Sequence, residues 1–96
     1  MAAYVIADVK ITDLEKYKGY QALTPGAVAA AGGEFLARGG RTEILEGSFD
    51  LGRVVVIRFA NMDAARAFYN SAGYVAARAA RAGATERFNM FIVEGA

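Results

Sequence analysis

Apolar residues in this chain come in short, imperfectly alternating runs, divided by glycine pairs and small polar residues. Tyr4 to Ile11 is rich in β-branched residues and predicts a strand. Thr12-Asp13-Leu14-Glu15 then reads as a capping box, with Thr12 as N-cap and Glu15 at the third helical position. The helix carries Leu14, Tyr17, Gln21 and Val28 on one stripe. Pro25-Gly26 predicts a kink or break, Ala29 to Ala31 resume the helix, and Gly32-Gly33 end it. Glu34 to Arg38 is a second strand, Gly39-Gly40 a bend or bulge, Arg41 to Glu46 an extended arm and Gly47 to Gly52 a turn. Arg53 to Phe59 is the clearest strand. Asn61 caps the next helix, Ser71 caps a further helical piece from Ala72 to Ala82, Gly83 closes it, and Thr85 to Glu94 is the last strand.

The order β-α-β-β-α-β is that of a ferredoxin-like α+β fold: a four-stranded antiparallel sheet with the helices on one face. Residues 1–96 read as one such domain, without linkers or repeats. A sheet with one wet face alternates apolar and polar residues, and this one does so poorly. Val55, Ile57 and Phe59 oppose Val54, Val56 and Arg58. Phe88, Met90 and Ile92 oppose Asn89, Phe91 and Val93. Val5, Ala7 and Val9 oppose Tyr4, Ile6 and Asp8. The helices cover one face, and the other is expected to pack against a second copy, giving a homodimer through the sheet.

Composition sharpens this reading. Apolar residues make up 55% of the chain, above the usual roughly 45–50%, in a domain too small to bury them all internally. Net charge is only +1, which gives no general attraction to nucleic acid or anionic membrane. There is no cysteine and no histidine, so thiolate, Ser-His-Asp and histidine-ligated metal chemistry are excluded within one chain. The acids are scattered, and no glycine pattern between a strand and a helix suits a nucleotide, so no metal and no cofactor are expected. With neither leader pattern nor membrane span in view, the expected location is the cytoplasm.

The segment with most chemical promise is Phe35-Leu36-Ala37-Arg38-Gly39-Gly40-Arg41, where a guanidinium ends an apolar strand beside a backbone free to turn. Arg38 can hold a carboxylate or enolate in a bidentate fork, or it can pair internally with Asp8, Glu34 or Glu43. Tyr69 and Tyr74 offer hydroxyls, and Tyr74 shares a helix face with Arg78. Tyr17 and Tyr69 also suit the core. Asn89 interrupts an apolar strand and can orient a ligand or water. Asp8 is the candidate catalytic base if it sits in an apolar cavity, and a structural acid if it pairs with Arg38. Ligand contacts are thus expected at Arg38, Gly39, Gly40, Tyr69, Tyr74 and Asn89.

Phe35-Leu36-Ala37-Arg38-Gly39-Gly40, Leu45-Glu46-Gly47, Val54 to Phe59, Phe68-Tyr69-Asn70-Ser71 with Tyr74, and Ile92-Val93-Glu94-Gly95 occur in register. Together they resemble a widespread bacterial family of uncharacterised small proteins in the dimeric α/β-barrel superfamily. That pattern has Pro-Glu between the serine and the tyrosine and Glu at position 58, where this chain has Ala72-Gly73 and Arg58. The resemblance implies a ferredoxin-like fold dimerising through its sheet. Superfamily relatives include antibiotic-biosynthesis monooxygenases and muconolactone isomerases. Two functions follow as expectations: binding of a small, partly apolar anion near Arg38, or cofactor-free oxygenase or isomerase activity. Base stacking of the RNA-recognition kind is disfavoured, because the third strand presents Val54 to Ile57 rather than aromatics.

Overall fold

The structure, a computed structural model, describes all 96 residues. Strands β1 (Ala3–Ile11), β2 (Glu34–Arg38), β3 (Arg53–Phe59) and β4 (Thr85–Glu94) form one antiparallel sheet in the order β2-β3-β1-β4. Helices α1 (Leu14–Ala30), α2 (Met62–Asn70) and α3 (Ala72–Ala80) complete the ferredoxin-like arrangement.

The expected division of faces is present. Ala3, Val5, Ala7 and Val9 are buried with Ile57 and Phe59, and Tyr17, Val28, Phe68, Tyr74 and Ala77 of the helices pack with them. On the opposite face, register sets Ile6 between Val56 and Phe91, and Tyr4 between Arg58 and Val93. Phe91 and Val93 are 55% and 45% exposed, so this face keeps apolar surface that the chain itself does not cover.

Three local expectations need correction. The N-cap of α1 is Asp13, whose carboxylate accepts from the Lys16 N–H at 3.1 Å; the Thr12 hydroxyl donates instead to the Ala84 carbonyl, tying the helix start to the residue just before β4. Pro25 does not break α1, which runs unbroken through it. Proline removes one N–H, and so leaves the carbonyl of the residue four before it, Gln21, without a helical donor. Arg38 reaches that carbonyl at 3.5 Å.

Arg38 can do so because the bulge lies at Leu36, between Phe35 and Ala37, rather than at Gly39-Gly40. One extra residue reverses the facing of everything after it. Phe35 pairs with Ile57 and Arg38 with Val55, both on the helix side, and the guanidinium stacks 4.7 Å from the Phe35 ring centre.

Residues 39–52 form no strand and are largely exposed. Their end is pinned: Gly52 donates to the Asp8 carboxylate at 2.8 Å, and Asp50 meets Lys10 and Arg87 at 3.4 and 3.2 Å. A side chain on Gly52 would overlap the Val9 carbonyl.

Two glycine substitutions therefore have opposite expected effects in a denaturant melt. Gly52→Ala is expected to lower stability by about 2–4 kcal/mol, because the overlapping group is backbone and cannot yield cheaply. Gly26→Ala lies inside α1 with open space around it, and is expected to raise stability by about 0.5–1 kcal/mol.

Candidate functional site

The cavity large enough for an organic ligand lies along the free edge of β4. Ser71 makes it possible by ending one helix and starting another. Its hydroxyl donates to the Phe68 carbonyl at 2.7 Å and accepts from the Tyr74 N–H at 3.2 Å, so a single serine serves as C-cap of α2 and N-cap of α3. The break brings Phe68 and Tyr69 beside Tyr74, with ring centres 4.5 and 5.7 Å from it. Beneath them, β4 turns Phe88, Met90 and Ile92 toward the helices.

The resulting cleft has a volume of about 410 Å³. Val5, Phe68, Phe88, Met90 and Ile92 give it apolar walls; Phe91 borders it, and Tyr69 and Arg81 supply its polar groups. The Arg81 guanidinium lies 3.7 Å from the centre of the Phe88 ring and 5.2 Å from that of Tyr20. Arg78, one turn earlier, lies 4.2 Å over the Tyr69 ring and donates to its hydroxyl at 2.9 Å. Both Nε atoms are buried without an acceptor.

No carboxylate balances either charge. The ion pairs of the chain are Lys10 with Asp50 and Glu86, Lys18 with Glu15, Arg66 with Asp63, and Arg87 with Asp8 and Asp50. The carbonyl end of α3 favours positive charge at Arg78 and Arg81 but satisfies neither guanidinium fully. An apolar cleft holding a cation with free valence is suited to an anion that carries an apolar body.

Behind the cleft Tyr20 and Tyr74 join their hydroxyls at 2.6 Å, and Tyr74 also points toward the Met90 sulfur at 3.7 Å. Burial pushes the Tyr20 hydroxyl far above the ordinary tyrosine range, so Tyr20 stays neutral.

The residues expected from the sequence do not gather at one place. Tyr69 lines the cleft, whereas Tyr74 is fully buried behind it and contributes packing. Arg38 borders a different cavity, a slot of about 20 Å³ between α1 and the sheet, with room for about one water. Gly39 has a positive φ of 70°, and the space where its side chain would stand is taken by the Arg53 guanidinium; Gly40 faces open space. Asn89 is exposed on the helix-free face.

Asp8 also belongs to that other face, and its partner is not Arg38. Arg87 holds it with two hydrogen bonds, at 3.0 and 3.2 Å, and Gly52 adds a third. The Arg87 bonds and then the Gly52 amide hold the Asp8 pKa below its ordinary value of 3.8. A carboxylate so stabilised as the anion, on the far side of the sheet from both cavities, is a structural acid and a poor base. Arg81 and the apolar wall from β4 were not among the expected site residues. The available signal was the three-residue spacing of Arg78 and Arg81, which puts both on one helix face.

The Asp8 assignment has a pH signature. Its pKa is lower in the folded chain than unfolded, so its stabilisation is complete above about pH 5 and is lost as pH falls through the folded value. Asp8→Asn is expected to cost on the order of 1–2 kcal/mol at pH 7. In melts from pH 7 to pH 2, the gap between wild type and variant should close below pH 3.8. A gap that persists in acid would remove the ion pair as its cause.

The architecture is shared with solved structures at identities that speak for fold alone. A Rhodopseudomonas palustris protein of unknown function superposes with a TM-score of 0.80 at 16% identity, covering 99% of this chain and 82% of that one. A dimeric ferredoxin-like protein of unknown function from Jannaschia sp. CCS1 gives 0.78 at 12% identity, covering 99% and 100%. A Caulobacter crescentus protein named for the antibiotic biosynthesis monooxygenases gives 0.65 at 17% identity, covering 99% and 90%. No match is found among the curated proteins. The model of one family spans residues 2–96, nearly the whole chain, and the chain therefore belongs to the family described as the domain of unknown function DUF1330.

Proposed function

We propose that this protein is a homodimer, joined through its helix-free sheet face, that binds a small, partly apolar anion in the cleft along β4. The observation that carries the ligand class is the Arg81 guanidinium: it lines an apolar cleft of about 410 Å³, and no carboxylate of the chain reaches it. The volume is at the small end of ligand pockets, of the order expected for a compact metabolite rather than a dinucleotide. Phe88 and Phe68 favour a flat or branched hydrocarbon body, and Arg81 with the Tyr69 hydroxyl favours a carboxylate-like head.

This reading moves the ligand from Arg38, where the sequence pointed, to Arg81. The space beside Arg38 is too small for anything organic. The dimer half of the proposal draws support from the apolar face around Ile6, Val56 and Phe91, and from solved neighbours described as dimeric. A cofactor-free oxygenase or isomerase is the competing reading, supported by the names of some neighbours. It needs a proton acceptor, and the cleft lining contains no carboxylate. Binding is therefore the function that the geometry favours.

Calorimetric titration with phenylacetate, and with its neutral alcohol analogue 2-phenylethanol, tests the assignment. Arg81→Gln is expected to weaken phenylacetate binding by about 10- to 100-fold, the value of a charge-assisted hydrogen bond, while changing the alcohol little. Equal affinities of wild type and variant for the acid would refute Arg81 as the anion contact.

A further inference from the structure

The segment between β2 and β3 serves no purpose within its own chain. We propose that residues 41–49 are an intersubunit arm: in the homodimer, this segment of each copy lies along the free edge of β4 of the other and forms the outer wall of its cleft. The arm rests on the dimer reading and adds a second contact to the sheet face.

No residue from Gly40 to Phe49 makes a hydrogen bond or ion pair within the chain. All of them are exposed, and Leu45, at 87%, is more exposed than any other large apolar residue. So long a connection without structure of its own is uncommon in a compact domain and usually has a function. Thr42, Ile44 and Phe49 are also strand-forming residues, unlike the glycine and serine of a free linker.

The root of the arm directs it to the second copy. Asp50 meets Lys10 and Arg87, and Gly52 meets Asp8, all on the helix-free face. The arm therefore leaves the chain at the margin of the dimer contact. From Gly40 to Leu45 it can span up to about 20 Å, twice the roughly 10 Å between packed sheets. The sheet face also needs help. Strands of five to ten residues give it a footprint of roughly 500 Å², against about 800 Å² per partner in a standard interface.

Of the two sheet edges, only β4 is open to an added strand. β2 has five residues, a bulge and a charge at each end, which are ordinary protections of an edge. β4 has ten residues and an uncharged middle from Phe88 to Val93, and its outward backbone groups have no neighbouring strand. Phe91 and Val93 are exposed there, and Phe91 and Ile92 border the cleft. An extended segment with unpaired backbone and apolar side chains matches an apolar edge with unpaired backbone.

The chain has no cysteine, so engineered disulfides report contacts cleanly, and each requires Cα atoms within about 7 Å. Two copies are coexpressed and oxidised, one tagged and carrying Ile44→Cys or Leu45→Cys, the other carrying Phe91→Cys or Ile92→Cys. A disulfide between the copies is expected in at least one combination with Ile92→Cys, which points to the helix side and is reached along the edge rather than across the sheet face. Leu23→Cys, on α1, should give none in place of the arm cysteine. In sedimentation over a concentration series, Leu45→Asp should raise the dimer dissociation constant at least about tenfold, where an idle surface residue would leave it unchanged. A dimeric wild type without an arm-to-β4 disulfide, or one whose dissociation constant Leu45→Asp does not move, would overturn the arm and leave the dimer standing. A monomeric wild type would remove the dimer reading and the arm with it.

Discussion

The structure depends on one constraint: a four-stranded sheet apolar on both faces, in a chain with enough helix to cover only one. Val5, Ala7, Val9, Ile57 and Phe59 vanish beneath the helices, while Ile6, Val54, Val56, Phe91 and Val93 lie on the side that no helix reaches. The edge of that uncovered face is polar. Asp8, Lys10, Asp50, Glu86 and Arg87 form one ion-pair network at the end where residues 50–52 cross β1. An apolar centre bounded by charged groups is the usual anatomy of a protein interface.

The same shortage of cover creates the cleft. At Ser71 the chain leaves one short helix and starts another, and along β4 the helical layer is completed by arginine side chains instead of aliphatic ones. Arg78 and Arg81 lay their planar heads on Tyr69 and Phe88. Such stacking covers aromatic surface while keeping charge at the boundary. Across the sheet, Arg38 and Arg53 do the same against Phe35 and Tyr17. Because the acids of the chain are engaged with Lys10, Lys18, Arg66 and Arg87 or stand apart, these four guanidiniums keep their valence for something other than the protein's own carboxylates.

The strands and the division of their faces were legible in the sequence, because strand periodicity is set by covalent geometry and each alternating run pairs as its pattern demands. What was not legible came from contacts between distant segments. Pro25 reads locally as a break, and only the tertiary arrival of Arg38 at the Gln21 carbonyl shows how the helix tolerates it. The bulge at Leu36 carries no glycine to announce it, whereas of the conspicuous Gly39-Gly40 pair Gly39 leaves room for Arg53 and Gly40 faces open space. Asp8 was correctly read as able to form an ion pair, but its partner is set by β1–β4 register, which brings Arg87 rather than Arg38 alongside. Of the expected site residues, Tyr69 alone lines the ligand-sized cleft. Arg81 is hard to recognise as a site residue, because a basic residue at the end of an alanine-rich helix is also an ordinary helix terminus.

The apolar helix-free face demands a partner, and a second copy of the chain is the one it fits. Sedimentation velocity of the wild type and of Val56→Glu, at micromolar concentration, tests this most directly. Val56 sits mid-sheet on that face beside Ile6, away from the helix-side core. The wild type is predicted to sediment as a dimer and Val56→Glu as a folded monomer, because a carboxylate buried between two sheets without a partner is prohibitively costly. A wild type that sediments as a monomer, or a Val56→Glu variant that remains dimeric, would contradict it.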